Sequence, residues 1–183
     1  MHFSSSSQPF FAAAFTIAYS PDNVTVALAA ADKTLSIRNA DKEVKKLTLP
    51  AEARGIAFAP GGASVVVGLA DNTIRIVTLA DSKEAKTSAA HTAPVTGLMF
   101  SPKGDLVVSA GADKTVRMWA PADLAAKGKL DLAFAPIAFS ISKDGTRLAA
   151  GGEKSVTIFT LADSKPAGTI VSPADVRGVA LSA

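Results

Sequence analysis

Apolar residues recur along this chain in short runs, broken at regular intervals by clusters of Gly, Pro, Asp, Asn and Lys. The clearest stretch is HTAPVTGLMFSPKGDLVVSAGADKTVRMW, residues 91–119. Residues 95–100 read as one strand, and Ser101-Pro102-Lys103-Gly104 as a tight turn in which Pro102 presets φ and Gly104 accepts a positive one. Residues 106–110 follow as a second strand, Gly111-Ala112-Asp113-Lys114 as a second turn, and residues 115–119 as a third strand. In that third strand Val116 and Met118 alternate with Arg117, the period of a pleated strand.

Weaker copies lie on both sides: FTIAYSPDNVTVALAAADKTLSIRN at 15–39, RGIAFAPGGASVVVGLADNTIRIVT at 54–78 and PIAFSISKDGTRLAAGGEKSVTIF at 136–159. A further copy begins as VRGVALSA at 176–183. The acidic turn residue falls at Asp32, Asp71, Asp113 and Glu153, in steps of 39, 42 and 40 residues. The earlier turn, at Pro21, Pro60, Pro102 and Lys143, keeps the same period. Repeats of about forty residues built from short strands predict an all-β propeller of four-stranded antiparallel blades, whereas ankyrin and tetratricopeptide repeats are shorter and helical. The predicted units are a lead-in at 1–14, repeats at about 15–53, 54–94, 95–135 and 136–175, and a partial one at 176–183, together an incomplete ring.

The second strands are the most apolar, as expected of strands covered on both faces. Fourth strands are placed at 44–49, 84–87, 129–133 and 167–171, where alternation is poor except in KEVKKLTL. Asp32, Asp71 and Asp113 are suited to accept backbone N–H bonds within their turns.

These residues resemble the WD40 repeat family from Phe15 to the end of the chain, most specifically in the third copy. There Ala90-His91 stands for the family's Gly-His pair, and Trp119-Ala120 for its Trp-Asp dipeptide, without the aspartate. The resemblance implies a hydrogen-bonded set inside one blade: His91 to Asp113 and Ser109, and Ser109 to the Trp119 indole. The other copies carry Leu28, Val67 and Ala149 at the serine position and Arg38, Val77 and Phe159 at the tryptophan position. Family rings most often have seven blades, about 280 residues at this period. Three readings of the shortfall stay open: a portion of a longer protein, a ring completed by a second copy or a partner, and a small open propeller. The strand at 176–183 is expected either to need completion or to pair with residues 10–15.

Composition narrows the chemistry more than the fold. The 183 residues are 48% hydrophobic, 19% charged and cysteine-free, with a net charge of +3. That excludes a disulfide framework and thiolate chemistry, and an intracellular, cytoplasmic setting is expected. Lys42, Lys45 and Lys46, with Glu43 among them, read as a solvated strand rather than a nucleic-acid stripe. The serine-rich start lacks the basic region of a secretory signal, and no apolar run is long enough for a spanning helix.

His91, Asp113 and Ser109 are the residue types of a nucleophilic triad, but their repeat positions assign them to the blade's scaffold. No cofactor, metal site or nucleotide loop is predicted. Recognition is what remains, and the resemblance implies a noncatalytic scaffold in a multiprotein assembly. Turn and strand cations Lys33, Arg75, Lys114, Arg117 and Lys154 are the candidate contacts on one rim, facing an acidic partner. The alternatives are a regulatory propeller such as a guanine-nucleotide exchange factor of membrane traffic, and a ribosome- or RNA-associated propeller; the small net charge makes nucleic acid the weaker reading.

Overall fold

The structure is a computed structural model that describes residues 14–39, 42–80 and 84–182. The apolar run at 10–13, expected as a lead-in or closing strand, lies outside them. Among the described residues, sixteen strands pair into four antiparallel sheets, each in simple chain order. Blade 1 holds Ala14–Tyr19 (β1), Thr25–Ala30 (β2), Thr34–Asn39 (β3) and Lys42–Thr48 (β4); blade 2 holds Ala53–Phe58 (β5), Ser64–Leu69 (β6), Thr73–Thr78 (β7) and Glu84–Ala89 (β8). Blade 3 holds Val95–Phe100 (β9), Val107–Gly111 (β10), Thr115–Trp119 (β11) and Ala126–Asp131 (β12); blade 4 holds Ala138–Ile141 (β13), Arg147–Gly152 (β14), Ser155–Thr160 (β15) and Lys165–Val171 (β16).

Blades stack face to face with first strand near first strand: β1 packs on β5, and β5 on β9. The alternation of side chains then divides each sheet into a face toward the preceding blade and a face toward the following one. Between blades 1 and 2, Ala27, Ala29, Leu35 and Ile37 meet Ile56, Phe58, Val65, Val67 and Val77. Between blades 2 and 3, Val66, Ile74 and Ile76 meet Val95, Leu98, Val107 and Trp119. Between blades 3 and 4, Val108, Ala110, Val116, Met118 and Leu130 meet Leu148, Ala150 and Phe159. Each core thus lies between sheets, which is why β6 and β10 are buried along almost their whole length while β16 is exposed throughout. Four such sheets packed face to face are consistent with an incomplete β-propeller.

Close approach at these junctions depends on particular glycines. A Cβ on Gly55 would stand 2.9 Å from the backbone nitrogen of Leu98 in the next blade. One on Gly68 would meet Val95 Cγ1 at 2.5 Å, with Leu98 Cδ1 at 3.7 Å. The same contact recurs beyond blade 4: a Cβ on Gly151 would meet Val176 Cγ1 at 2.8 Å and Val179 Cγ1 at 2.9 Å. Val176 N–H donates to the Gly152 carbonyl at 3.1 Å, and Leu181 N–H to Ser140 Oγ at 3.3 Å. Residues 176–181 form no strand, yet they lie against blade 4 where β9 lies against blade 2.

Three expectations need correction. The second strand of blade 3 is Val107–Gly111, one residue later than expected. The fourth strands begin earlier than expected, at Lys42, Ala126 and Lys165 in blades 1, 3 and 4, and β8 runs on to Ala89. Each carries a bulge opposite the third strand, between Ile37 and Arg38, Ile76 and Val77, Met118 and Trp119, and Ile158 and Phe159. The extra residue breaks the period of two that the sequence pattern relies on. Finally, blade 4 pairs Gly152 with Ser155 across a two-residue turn, where blade 3 pairs Gly111 with Thr115 across three. The shorter turn puts Ala150, not Ala149, at the serine position.

Candidate functional site

The β2–β3, β6–β7, β10–β11 and β14–β15 turns open on the same side of the stack, because equivalent strands run in the same direction in consecutive blades. Lys33, Asn72, Lys114 and Lys154 hold the left-handed backbone position there, with φ of 63°, 72°, 63° and 53°. Their carbonyls accept N–H bonds from the chain leaving the fourth strand: Leu49 to Lys33 at 2.7 Å, His91 to Asn72 at 3.0 Å, Leu132 to Lys114 at 2.9 Å and Ser172 to Lys154 at 2.7 Å. The turn backbone is therefore tied at both ends, while the lysine side chains stay in solvent.

The turn acids make a repeated local motif with a threonine two residues on. Thr34 N–H and Oγ1–H donate to Asp32 Oδ1 at 3.1 and 2.6 Å, and Thr73 does the same to Asp71 at 3.1 and 2.6 Å. Hydroxyl and backbone donors to Asp32 hold its carboxyl below the usual range against a small cost of burial. The sequence signal for this threonine is the recurrence of Asp-Lys-Thr, Asp-Asn-Thr and Asp-Lys-Thr at the same register, which the turn aspartates alone do not convey. In blade 4 the residues are Glu153, Lys154 and Ser155, and only the Ser155 hydroxyl meets the Glu153 carbonyl, at 3.3 Å.

Blade 3 extends this motif inward. His91 Nδ1 lies 2.9 Å from Asp113 Oδ1, His91 Nε2 lies 2.8 Å from Ser109 Oγ, and Trp119 Nε1–H donates to Ser109 Oγ at 2.9 Å. Asp113 also accepts from Thr115 N–H at 3.2 Å, Thr115 Oγ1–H at 2.7 Å and Thr92 N–H at 3.0 Å. One proton arrangement satisfies every member: Trp119 donates to Ser109, Ser109 to His91 Nε2, and His91 Nδ1–H to Asp113. Burial lowers the His91 pKa and outweighs the attraction of Asp113, so the imidazole is neutral. Burial raises that of Asp113, but the Thr92, Thr115 and His91 donors overcome it and hold the carboxyl at about 2. Gly111 makes room for the set, since a Cβ there would collide with His91 Nδ1 and Asp113 Oδ1.

The order Ser–His–Asp is that of a hydrolytic triad, but its surroundings are not. Ser109 is fully buried, and its oxygen already accepts the Trp119 indole N–H. A nucleophile needs a face open to substrate, which this oxygen lacks. Among the described residues no group of three or more His, Cys, Asp or Glu is placed to hold a metal ion. No helix among them is long and apolar enough to cross a membrane.

The structure separates the expected rim cations into two kinds. Lys33, Lys114 and Lys154 are exposed, Lys114 also reaching the Ala133 carbonyl at 3.3 Å. Arg75 and Arg117 are not the free surface charges expected. Their strand positions face the preceding blade, so each is part-buried, with Nε on Thr73 or Thr115 Oγ1 at 3.4 Å and its guanidinium 3.8 or 3.9 Å from Asp71 or Asp113. Lys45, expected to be solvated, donates to the Leu79 carbonyl and to that of Ala80 at 2.9 Å, tying blade 1 to blade 2.

The four similar four-stranded antiparallel sheets are consistent with a partial propeller, and one stretch of the chain carries a repeat match. Residues 82–120 match the family model described as "WD domain, G-beta repeat". That span starts at the outer strand of blade 2 and ends at the third strand of blade 3, so one sequence repeat straddles two sheets with His91 at the crossing. The structure is similar to a chain of hydrazine synthase from Kuenenia stuttgartiensis, at 17% identity and a TM-score of 0.82. The match covers 93% of this chain and 53% of that one, so this chain spans about half its length. At that identity the likeness shows the fold alone. No curated protein matches the chain.

Proposed function

We propose that this chain is a noncatalytic protein-interaction scaffold, a subunit of a multiprotein assembly, which meets an acidic segment of its partner on the rim formed by the second turns. One observation carries the reading: Lys33, Lys114 and Lys154 occupy the same left-handed turn position in three blades, each exposed on a backbone held from behind. WD40-type folds typically serve as interaction scaffolds, and here the scaffold chemistry and the available charges sit in different places. Asp32, Asp71 and Asp113 on the same turns are engaged by threonine donors, the last two also by part-buried arginines, whereas Glu153 and the three lysines are exposed, so the outward-facing charge is net positive.

A single exposed ion pair contributes only about 0.2–1 kcal/mol, so recognition needs several lysines at once. Reversing all three, as K33E/K114E/K154E, should weaken binding of an acidic protein segment at least about tenfold and flatten its salt dependence. Unchanged binding by the triple variant would remove this rim from the account. Capture at physiological salt that survives nuclease treatment separates a protein partner from RNA.

A further inference from the structure

The junction between blades 3 and 4 differs from the two before it in how the inner strands meet. β9 lies directly on β5, with the Leu98 backbone nitrogen against Gly55. Gly97 is the counterpart of Gly55 in blade 3, and a Cβ there would meet the Phe139 ring, at 2.5 Å from Cε1 and 3.3 Å from Cζ. The ring stands where the next strand's backbone lies at the junction before. β13 is therefore held off β9, whereas β5 packs on β1 and β9 on β5.

The first turns, on the rim opposite the lysines, show the same separation. A Cβ on Gly62 would lie 3.9 Å from Pro21 Cδ, and one on Gly104 2.5 Å from Pro60 Cγ, so the first turns of blades 1, 2 and 3 touch in series. A Cβ on Gly145 in blade 4 would meet no described residue within 4 Å, Pro102 included. Residue size accounts for the difference. Met99 faces blade 4 from the position of Ala18 and Ala57, and Leu106 from that of Thr25 and Ser64. Opposite them Phe139 and Ile141 are half-buried, whereas Ile56 and Phe58 at the same positions in blade 2 are 6% and 7% exposed. Side chains too large for closely approaching strands push the backbones apart. The other rim of this junction stays tied: Thr96 Oγ1–H donates to the Pro136 carbonyl at 3.0 Å, where the chain enters blade 4.

We propose that this junction is a hinge. Blade 4 pivots on the Thr96–Pro136 bond and on the outer core, where Val116, Met118 and Leu130 meet Leu148 and Phe159. Its first turn, residues 142–145, swings toward and away from that of blade 3, residues 101–104. The first-turn rim opens between blades 3 and 4 while the second-turn rim keeps its spacing. Hinges of this kind concentrate a rigid-body motion at a few element ends.

Distances between paired spin labels, measured by double electron–electron resonance, test this on the full chain, whose lack of cysteine leaves engineered pairs as the sole labelling sites. All the labelled positions are exposed and lie in turns. V24C/A63C and G61C/K103C span the first two junctions at the first-turn rim, and each should give one narrow distance. K103C/K143C spans the third and should give a broad or two-peaked distribution. A112C/E153C spans the same third junction at the tied rim and should be narrow. Adding M99A/F139L copies the Ala57 and Leu98 pair of the second junction into the third, and should narrow the K103C/K143C distribution and shift it to shorter distance. A K103C/K143C distribution as narrow as that of G61C/K103C would overturn the proposal. So would equal broadening of A112C/E153C, which describes a loose blade without a pivot, or a folded M99A/F139L variant with the K103C/K143C distribution unchanged.

Discussion

At the scale of single residues, the blade 3 network shows how one set of side chains can look catalytic and act as scaffold. Ser109 serves two buried partners at once, and its removal strands both the Trp119 indole N–H and His91 Nε2. Ser109→Ala should therefore cost about 1–3 kcal/mol in chemical denaturation, with an unchanged fold. His91 supplies a pH dependence. Its pKa is below the ordinary 6.5 because it is buried, so on acidification the unfolded chain takes up a proton that the folded chain refuses. Stability should fall as pH drops through about 6.5, and His91→Gln should abolish that slope. Asp113 has the opposite history: its contribution is full above the usual carboxylate range and is lost as pH falls through about 2. The His91, Ser109, Asp113 and Trp119 grouping was legible through the resemblance of that repeat to the WD40 family. The inward-facing lie of Arg75 and Arg117 was not, because a charged residue in a strand reads as solvent-facing until the neighbouring sheet is in place.

At the scale of elements, periodicity located the first three strands of each blade well and the fourth poorly. The third strand of blade 3, Thr115–Trp119, lies where its alternation put it. Outer strands slipped because each contains a bulge: Val44 is inserted between the partners of Ile37 and Arg38, and Lys127 between those of Met118 and Trp119. Blade 4 misled in another way, since dropping one turn residue shifts Ala149 to the opposite face without altering the apolar run. Junction geometry rests on positions that carry no side chain to read. Gly55 is one: a Cβ there meets the Leu98 backbone nitrogen, which cannot swing aside. Gly55→Ala should lower stability by about 1–3 kcal/mol through overpacking, measurable as a drop in denaturation midpoint with the blade 3 network still formed.

At the scale of the molecule, the proposed function places stability and recognition in different parts of the same blades. The interiors hold apolar cores and the buried network; the rim turns hold exposed lysines on fixed backbone. A rigid scaffold that varies only its turns is how repeat folds serve many partners. One titration tests this separation most directly. The affinity of an acidic partner segment is measured for wild type, S109A and K33E/K114E/K154E at a temperature where all three are folded. S109A, though less stable, should bind within about twofold of wild type, while the lysine variant should lose at least about tenfold. Loss of binding in S109A with retention in the lysine variant would contradict the account.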